Sequence, residues 1–456
     1  MGTMPVNRLI INIGLPMILS MLVQAFYNIV DSYFVARISD DSAAGSAGTA
    51  ALVAVGMAFP FQTLLIAFGS GTGVGVNAML SKALGEKDPA TVKKAANNGI
   101  FVSIVCAAVF FIIGRFFAGT LIRSQGGEGL TLEYGTAYLS IVCMFSFGIY
   151  MQFIFERLLQ ATGRSFYSMI TQMTGAIINI ILDPILIFGL FGFPEMKVAG
   201  AAVATVTGQI AAALFAFIIN LKKNPEVEIS FKGFKPDMRT IGRIYSVGVP
   251  SIIMMCIGSV MTYCMNRILV SLNSAAVAVF TVYFKLQSLF FMPVFGLNNG
   301  LIPILAYNYG AQKRSRMIRA IKVAMAYALG FVAIGFILFE VIPDKLLLIF
   351  NTGDPSLLTY GVPALKIIAF HYLIAWFCIV GGTVFQALGN GVYSLIVSVA
   401  RQLVVLIPAA YILARIGGLA LIWWCFPIAE LMSFIVTCYF LYRINREIIS
   451  RVPDLA

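Results

Sequence analysis

Charge is what this sequence has least of. Only 11% of its residues are Asp, Glu, Lys or Arg, 60% are hydrophobic, and the mean hydropathy is +0.93. Such a chain has no room for a sizeable soluble domain and belongs with integral membrane proteins. It contains one histidine and its cysteines are scattered, which argues against a metal cluster or a nucleophile held beside its base; no enzyme and no cofactor is expected. The seven cysteines (Cys106, Cys143, Cys256, Cys264, Cys378, Cys425, Cys438) fall singly, mostly within apolar runs, with no CxxC spacing to suggest a disulfide frame or a metal site, and are read as packing residues. No filter sequence repeats along the chain, which argues against a channel. The first apolar run outlasts a signal-peptide core and ends at Asp31 rather than at a small-residue cleavage site, so it is read as a span.

Long apolar runs are what the chain has in abundance. They cover approximately 9–34, 51–77, 95–118, 134–160, 166–190 and 199–221, then 244–270, 276–303, 320–342, 360–387, 392–414 and 419–442. Runs of that length predict membrane-spanning helices rather than the short alternating strands of a barrel. The expected fold is an all-α integral membrane protein of about twelve transmembrane helices.

The two halves resemble one another. Gly14-Leu15-Pro16 pairs with Gly248-Val249-Pro250, and Pro60 with Pro293. Gly71, Gly75 and Gly85-Glu86-Lys87 pair with Gly296, Gly300 and Gly310-Ala311-Gln312-Lys313, and Gln160-Ala161-Thr162-Gly163 with Gln386-Ala387-Leu388-Gly389. Four anchors in one order point to duplication. An even number of spans per half gives both halves the same orientation, so two parallel-oriented six-helix lobes are expected around a central cleft. The lobes are read as 1–221 and 244–456, joined by a cytoplasmic loop at 222–243.

Basic residues set the orientation. Lys82, Lys87, Lys93 and Lys94, the group from Lys222 to Arg243, and Lys313, Arg314, Arg316, Arg319 and Lys322 fall on one side together with Arg8, Arg443, Arg446 and Arg451. Asp40, Asp41, Glu128, Asp344 and Asp354 fall on the other, which predicts cytoplasmic termini. The net charge of +12 lies in short loops beside spans, where topology and anionic lipid account for it; no nucleic-acid partner is expected.

Against this apolar background the intramembrane polar residues stand out. Asp183 is the sole charge between Met169 and Leu190, and Asn179 lies one helical turn before it on the same face. A carboxyl at that depth costs about 2.5–3.5 kcal/mol on insertion scales and must face a cavity or a partner. Met17, Ser20, Gln24, Tyr27 and Asp31 share one face of the first span, with Asp31 nearer its outer end and close in sequence to Arg37. The fourth span carries Gln152, Glu156 and Gln160 one turn apart beside Phe153, with Arg157 and Arg164 as alternative partners of Glu156; the sixth offers Thr205 and Gln209. In the second half the embedded charges are mainly basic (Arg267, Lys285, Lys366, Arg401), with His371 read as packed; Lys285 could hold Glu430 or substrate, and is read rather as a structural pair or a snorkelling side chain. Twenty Met and thirty-seven Phe suit lipid-facing surfaces and equally a promiscuous pocket for flat cations.

The repeated halves, Val30-Asp31, Asn179-Ile180-Ile181-Leu182-Asp183-Pro184 and Gly200-Ala201-Ala202-Val203-Ala204-Thr205 together resemble the multidrug and toxic compound extrusion (MATE) family over essentially the whole chain. The phrase from Ile180 to Gly189 and Glu156 are most similar to the bacterial branch that includes a staphylococcal multidrug exporter. The resemblance implies a multi-pass protein of the inner (plasma) membrane, expected to be monomeric, that exports cationic aromatic drugs against inward movement of protons or sodium ions. Carried over by position, Asp31, Asn179, Asp183 and Thr205 match the family's cation site, and Met17, Gln24, Tyr27, Phe153, Glu156 and Gln209 are the expected drug-binding residues. No metal beyond sodium at the cation site is expected. Some members carry acids in the seventh and tenth spans where this chain has Asn266, Arg267, Lys366 and His371, so a second cation site like theirs is not expected.

The residues support the same chemistry. Two carboxyls brought together at low dielectric disfavour double ionisation and hold a proton or a monovalent cation. A cationic drug competing for them, with alternating access, gives exchange across the membrane. The alternative is a flippase for a lipid-linked precursor, which would require a strongly basic cavity.

Overall fold

The computed structural model of the chain describes residues 1–35, 37–38, 46–349 and 356–454; Asp40, Asp41 and Asp354, assigned above to the outer loops, lie outside them. The described residues form helices and no strand: α1 (Val6–Val35), α2 (Ser46–Gly85), α3 (Pro89–Phe116), α4 (Ala118–Ser124), α5 (Gly129–Met144), α6 (Phe147–Ala161), α7 (Ser165–Phe188) and α8 (Lys197–Lys223). After a linker come α9 (Met238–Leu272), α10 (Ser274–Gly310), α11 (Arg314–Val341), α12 (Pro343–Leu348), α13 (Ser356–Ala369), α14 (Tyr372–Ala387), α15 (Gly391–Val399), α16 (Ile407–Ile422) and α17 (Cys425–Glu447). Ten of the described helices are long and apolar enough to cross a membrane, and twelve spans result when each bent pair counts as one. At 40 residues, α2 is about 60 Å long, twice the hydrocarbon thickness, so it must extend beyond the bilayer.

The fourth and tenth spans, continuous in the sequence reading, are each broken. α5 meets α6 at 45° across Phe145-Ser146, and α13 meets α14 at 53° across Phe370-His371. Neither break falls on proline or glycine. Pro16, Pro60, Pro184, Pro250, Pro293 and Pro303 instead lie inside helices, where protein neighbours compensate for the missing backbone donors. The last two spans also meet later than their apolar run indicated: α16 runs to Ile422 and α17 begins at Cys425.

The chain folds into two compact units, one of Leu19–Ile252 and one of Met1–Ile18 with Ile253–Ala456. Within the first, the Gly71 and Gly75 positions of α2 lie against Gly248 and Ile244 of α9; a Cβ at Gly75 would stand 2.1 Å from the Ile244 carbonyl oxygen. Within the second, Gly296 and Gly300 of α10 lie against Ile18 and Gly14 of α1, with a Cβ at Gly296 2.6 Å from Ile18 Cα. The duplicated anchors are therefore partners crosswise: the glycine pair of each half receives the Gly-x-Pro segment of the other. Glycine lets two backbones meet where the lipid supplies no hydrophobic drive for association.

Candidate functional site

The tightest packing that bears on function is between α7 and α8. A Cβ on Gly208 would lie 2.5 Å from the Gly175 carbonyl oxygen, and one on Gly200 2.6 Å from that of Leu186. With no side chains in the way at either end of the contact, Asn179 and Thr205 are drawn together between them. The Asn179 amide donates to Thr205 Oγ1 at 3.3 Å and to Asp183 Oδ1 at 3.4 Å. All three side chains are buried. Pro184 follows at once inside α7 and cannot donate to the Ile180 carbonyl, which leaves another oxygen underemployed in the same turn.

Asp31, on α1, lies within electrostatic reach of Asp183, and Tyr27 within reach of both. Asp31 Oδ1, Asn179 Oδ1 and Asp183 Oδ2 are all buried without a protein hydrogen-bond partner. Unpaired acceptors at low dielectric are costly. A set made up of acceptors is relieved by something positive, whether a proton or a cation. Of the four residues expected at the cation site, Asn179, Asp183 and Thr205 are joined by hydrogen bonds across α7 and α8, and Asp31 on α1 is near enough to act on Asp183 electrostatically. Tyr138 of α5 also reaches Asp31, Tyr27 and Asp183, and its hydroxyl donates to Gln62 at 3.5 Å.

A cavity adjoins this cluster. Of the expected drug-binding residues, Gln24, Tyr27, Phe153 and Gln209 line it, and so do Asn179 and Thr205 from the cation cluster. Its volume is about 70 Å³, enough for a few waters and far below the roughly 300–1,000 Å³ of drug-sized pockets. Admitting a tricyclic cation therefore requires its walls to part. No lysine or arginine lines it.

Two expected residues stand elsewhere. Met17 is buried in the other compact unit and does not line the cavity. Glu156 lies behind the wall, where it accepts from Gln152 Nε2 at 3.0 Å, Gln172 Nε2 at 2.6 Å and Thr171 Oγ1 at 3.3 Å. Of its neighbours, Arg157 stays within electrostatic reach of Glu156 while donating to Gln160 at 2.8 Å, and Arg164 donates to Asn224 at 3.0 Å and to Glu226. Gln62, Tyr138 and Gln172 escaped the sequence reading. Gln172 was accessible to it, lying seven residues before Asn179 on the same face of α7, whereas the other two come from α2 and α5, on which no candidate had been placed.

In the second half, Glu430 pairs with Arg401 at 3.3 Å rather than with Lys285, which is exposed. Arg401 sits in a π-helical stretch, Ala400–Leu406, joining α15 to α16. The extra residue per turn rotates side chains relative to a regular helix. His371, at the break between α13 and α14, is buried, with Nδ1 2.6 Å from the Ile368 carbonyl and its ring stacked on Phe291 at 6.0 Å.

Comparison with known proteins follows the same lines. The family model described as MatE matches twice, over residues 16–185 and 250–412, once in each half. The chain is 27% identical over 441 residues to the multidrug export protein MepA of Staphylococcus haemolyticus (strain JCSC1435), covering 97% of this chain and 94% of the relative. It is 27% identical over 452 residues to the protein of that name from Staphylococcus aureus (strain MRSA252), covering 99% and 97%. The fold is that of solved transporters: an outward-facing multidrug resistance MATE family transporter of the MOP superfamily superposes with a TM-score of 0.89 at 24% identity over 98% of this chain and 97% of that one. A MOP superfamily transporter from Pyrococcus furiosus Vc1 gives 0.88 at 24% identity over the same shares. With the family model matched in both repeats, this chain belongs to the MatE family.

Proposed function

We propose that the protein is a secondary active multidrug efflux transporter of the plasma membrane, which exports cationic aromatic compounds in exchange for protons or sodium ions by alternating access. One observation carries the reading: Asn179 and Thr205 belong to both the carboxyl cluster and the cavity wall. An ion held by Asp31 and Asp183 and a cation in the cavity then compete through shared residues, and competition between ion and cargo is what converts alternating access into exchange. The MepA relatives, named as multidrug export proteins, support the cargo class. The absence of Lys and Arg from the cavity lining disfavours a pyrophosphate-bearing lipid as cargo.

The distribution of basic loops supports a cytoplasmic side for both termini and for the linker after α8. A cysteine placed in that linker should react with an impermeant maleimide only after cells are opened; labelling of intact cells would reverse the orientation. The function is tested with the full chain in liposomes loaded with ethidium. Efflux should require an imposed ion gradient and stop when ionophores collapse it, and gradient-independent efflux would defeat the exchange mechanism.

A further inference from the structure

We infer that Glu156 is a positioning residue: its carboxylate fixes the amides of Gln152 and Gln172 so that their carbonyl oxygens are left for the cavity, which selects cations carrying N–H donors. The inference rests on the reading of that cavity as the drug site. Gln152 and Gln172 both line the cavity and Glu156 does not. Glu156 is 1% exposed, so its charge is walled off from any cargo.

The chemistry of the contacts is directional. A carboxylate only accepts, so each glutamine must turn its NH2 group toward Glu156 and its carbonyl oxygen away from it. Gln152 does so from one turn earlier on α6, at 3.0 Å, and Gln172 from α7, at 2.6 Å. Gln172 Oε1 is buried with no hydrogen-bond partner among the described residues. Thr171 Oγ1 also approaches Glu156 at 3.3 Å but is closer to the Ser168 carbonyl, at 2.7 Å, so the two amides are its principal donors.

A wall presenting carbonyl oxygens attracts positive charge of any kind weakly and N–H groups on a cation strongly and directionally. Arylamine, amidine and guanidine cations satisfy both carbonyls; a phosphonium or fully substituted ammonium satisfies neither. A glutamine at 156 would carry its own NH2 group, so a neighbouring amide would turn its carbonyl toward it and offer its own NH2 to the cavity, reversing the preference.

The test measures equilibrium binding of ethidium, which carries two arylamine NH2 groups, and of tetraphenylphosphonium, which has none, to the purified full chain. For Glu156→Gln and Glu156→Ala, ethidium affinity should fall about tenfold, the size of one charge-assisted hydrogen bond, with tetraphenylphosphonium affinity held within about twofold. Glu156→Asp, which keeps the carboxylate, should restore part of the ratio. Equal loss of both probes would mean that Glu156 attracts cations directly or that the site has collapsed, and would overturn the inference. An unchanged ratio in all variants would overturn it as well. A wild-type protein that bound neither probe would remove the drug-site reading and this inference with it, whereas binding of both with equal losses removes this inference alone.

Discussion

Asn179 donates from one amide group to Asp183 at 3.4 Å and to Thr205 at 3.3 Å, so a change of charge at Asp183 is felt at once on a second helix. Replacing Asp183 by Asn keeps its shape but removes the ionisable group, and gradient-driven ethidium export should fall at least about tenfold, a barrier change of about 1.4 kcal/mol. The melting temperature in detergent should hold, since an amide in that place still pairs with Asn179. Normal export by Asp183→Asn would reduce this carboxyl to a packing role.

Removing Arg401 tests a different use of buried charge. Glu430 is 2% exposed and Arg401 Nη1 lies 3.3 Å away. Truncating the cation leaves a carboxylate uncompensated at low dielectric. Because the Arg401 side chain is itself 32% exposed, the cost of Arg401→Met should be about 2 kcal/mol, below the 3–5 kcal/mol of a fully buried pair. Thermal melting would measure it, and Arg401→Met with Glu430→Gln should recover most of the loss. No recovery in the double variant would mean that the charges are not coupled.

Gly75→Ala should be among the most damaging single-methyl changes in the chain. The added Cβ would stand 2.1 Å from the Ile244 carbonyl oxygen, against nothing within 4 Å at Gly56. Overpacking typically costs about 1–3 kcal/mol, and backbone cannot swing aside as a side chain can. Melting of Gly75→Ala compared with Gly56→Ala decides the matter; equal melting would show that the α2–α9 contact yields.

Much of this was legible before any coordinates. Asp183 and Asn179 announced themselves because the run from Met169 to Leu190 has no other charge, and the repeated glycines pointed to duplication. What could not be read was direction across helices. Glu156 shared a stripe with Gln152 and so was expected among the drug-binding residues, but whether a side chain enters a cavity or stands behind its wall depends on α7, which supplies Gln172. The breaks at Phe145-Ser146 and Phe370-His371 carry no proline or glycine, so the sequence offers no local signal for them. The Arg401 partner of Glu430 was not singled out for a related reason: a π-helical stretch shifts the register at Arg401, and hydropathy has no sign for that.

Two caps outside the membrane titrate in a predictable sense. The Thr91 hydroxyl, at 2.5 Å, and the Thr91 backbone N–H hold the Asp88 carboxyl below its ordinary range, and the Thr240 hydroxyl and Arg239 N–H do the same for Asp237. A depressed folded value means that the stabilisation is present above the unfolded carboxyl pKa near 4 and is lost as pH falls through the folded value. Hydrogen-exchange protection of the first turn of α3 should therefore hold from about pH 8 to pH 5 and fall below about pH 4. With Asp88→Asn, an equally good cap that does not titrate, protection should stay level through that range. A parallel decline in the variant would place the acid sensitivity elsewhere.

Which way Asn179 faces bears on the coupling ion. Its NH2 group points at Asp183 and Thr205, while its carbonyl oxygen has no partner. A sodium ion between the carboxyls needs several oxygens directed at one point, so Asn179 would have to turn its carbonyl inward and give up both hydrogen bonds. A proton asks only that one carboxyl be held in a desolvated place, which Asp183 at 0% exposure already is. Proton coupling is therefore expected, at about 1.4 kcal/mol per tenfold gradient for each proton moved. In liposomes at clamped voltage, a pH gradient alone should drive ethidium export and a sodium gradient alone should not. Export driven by sodium with no response to pH would require the amide to turn, and Asn179→Asp, which supplies oxygen in either orientation, should then strengthen rather than weaken sodium dependence.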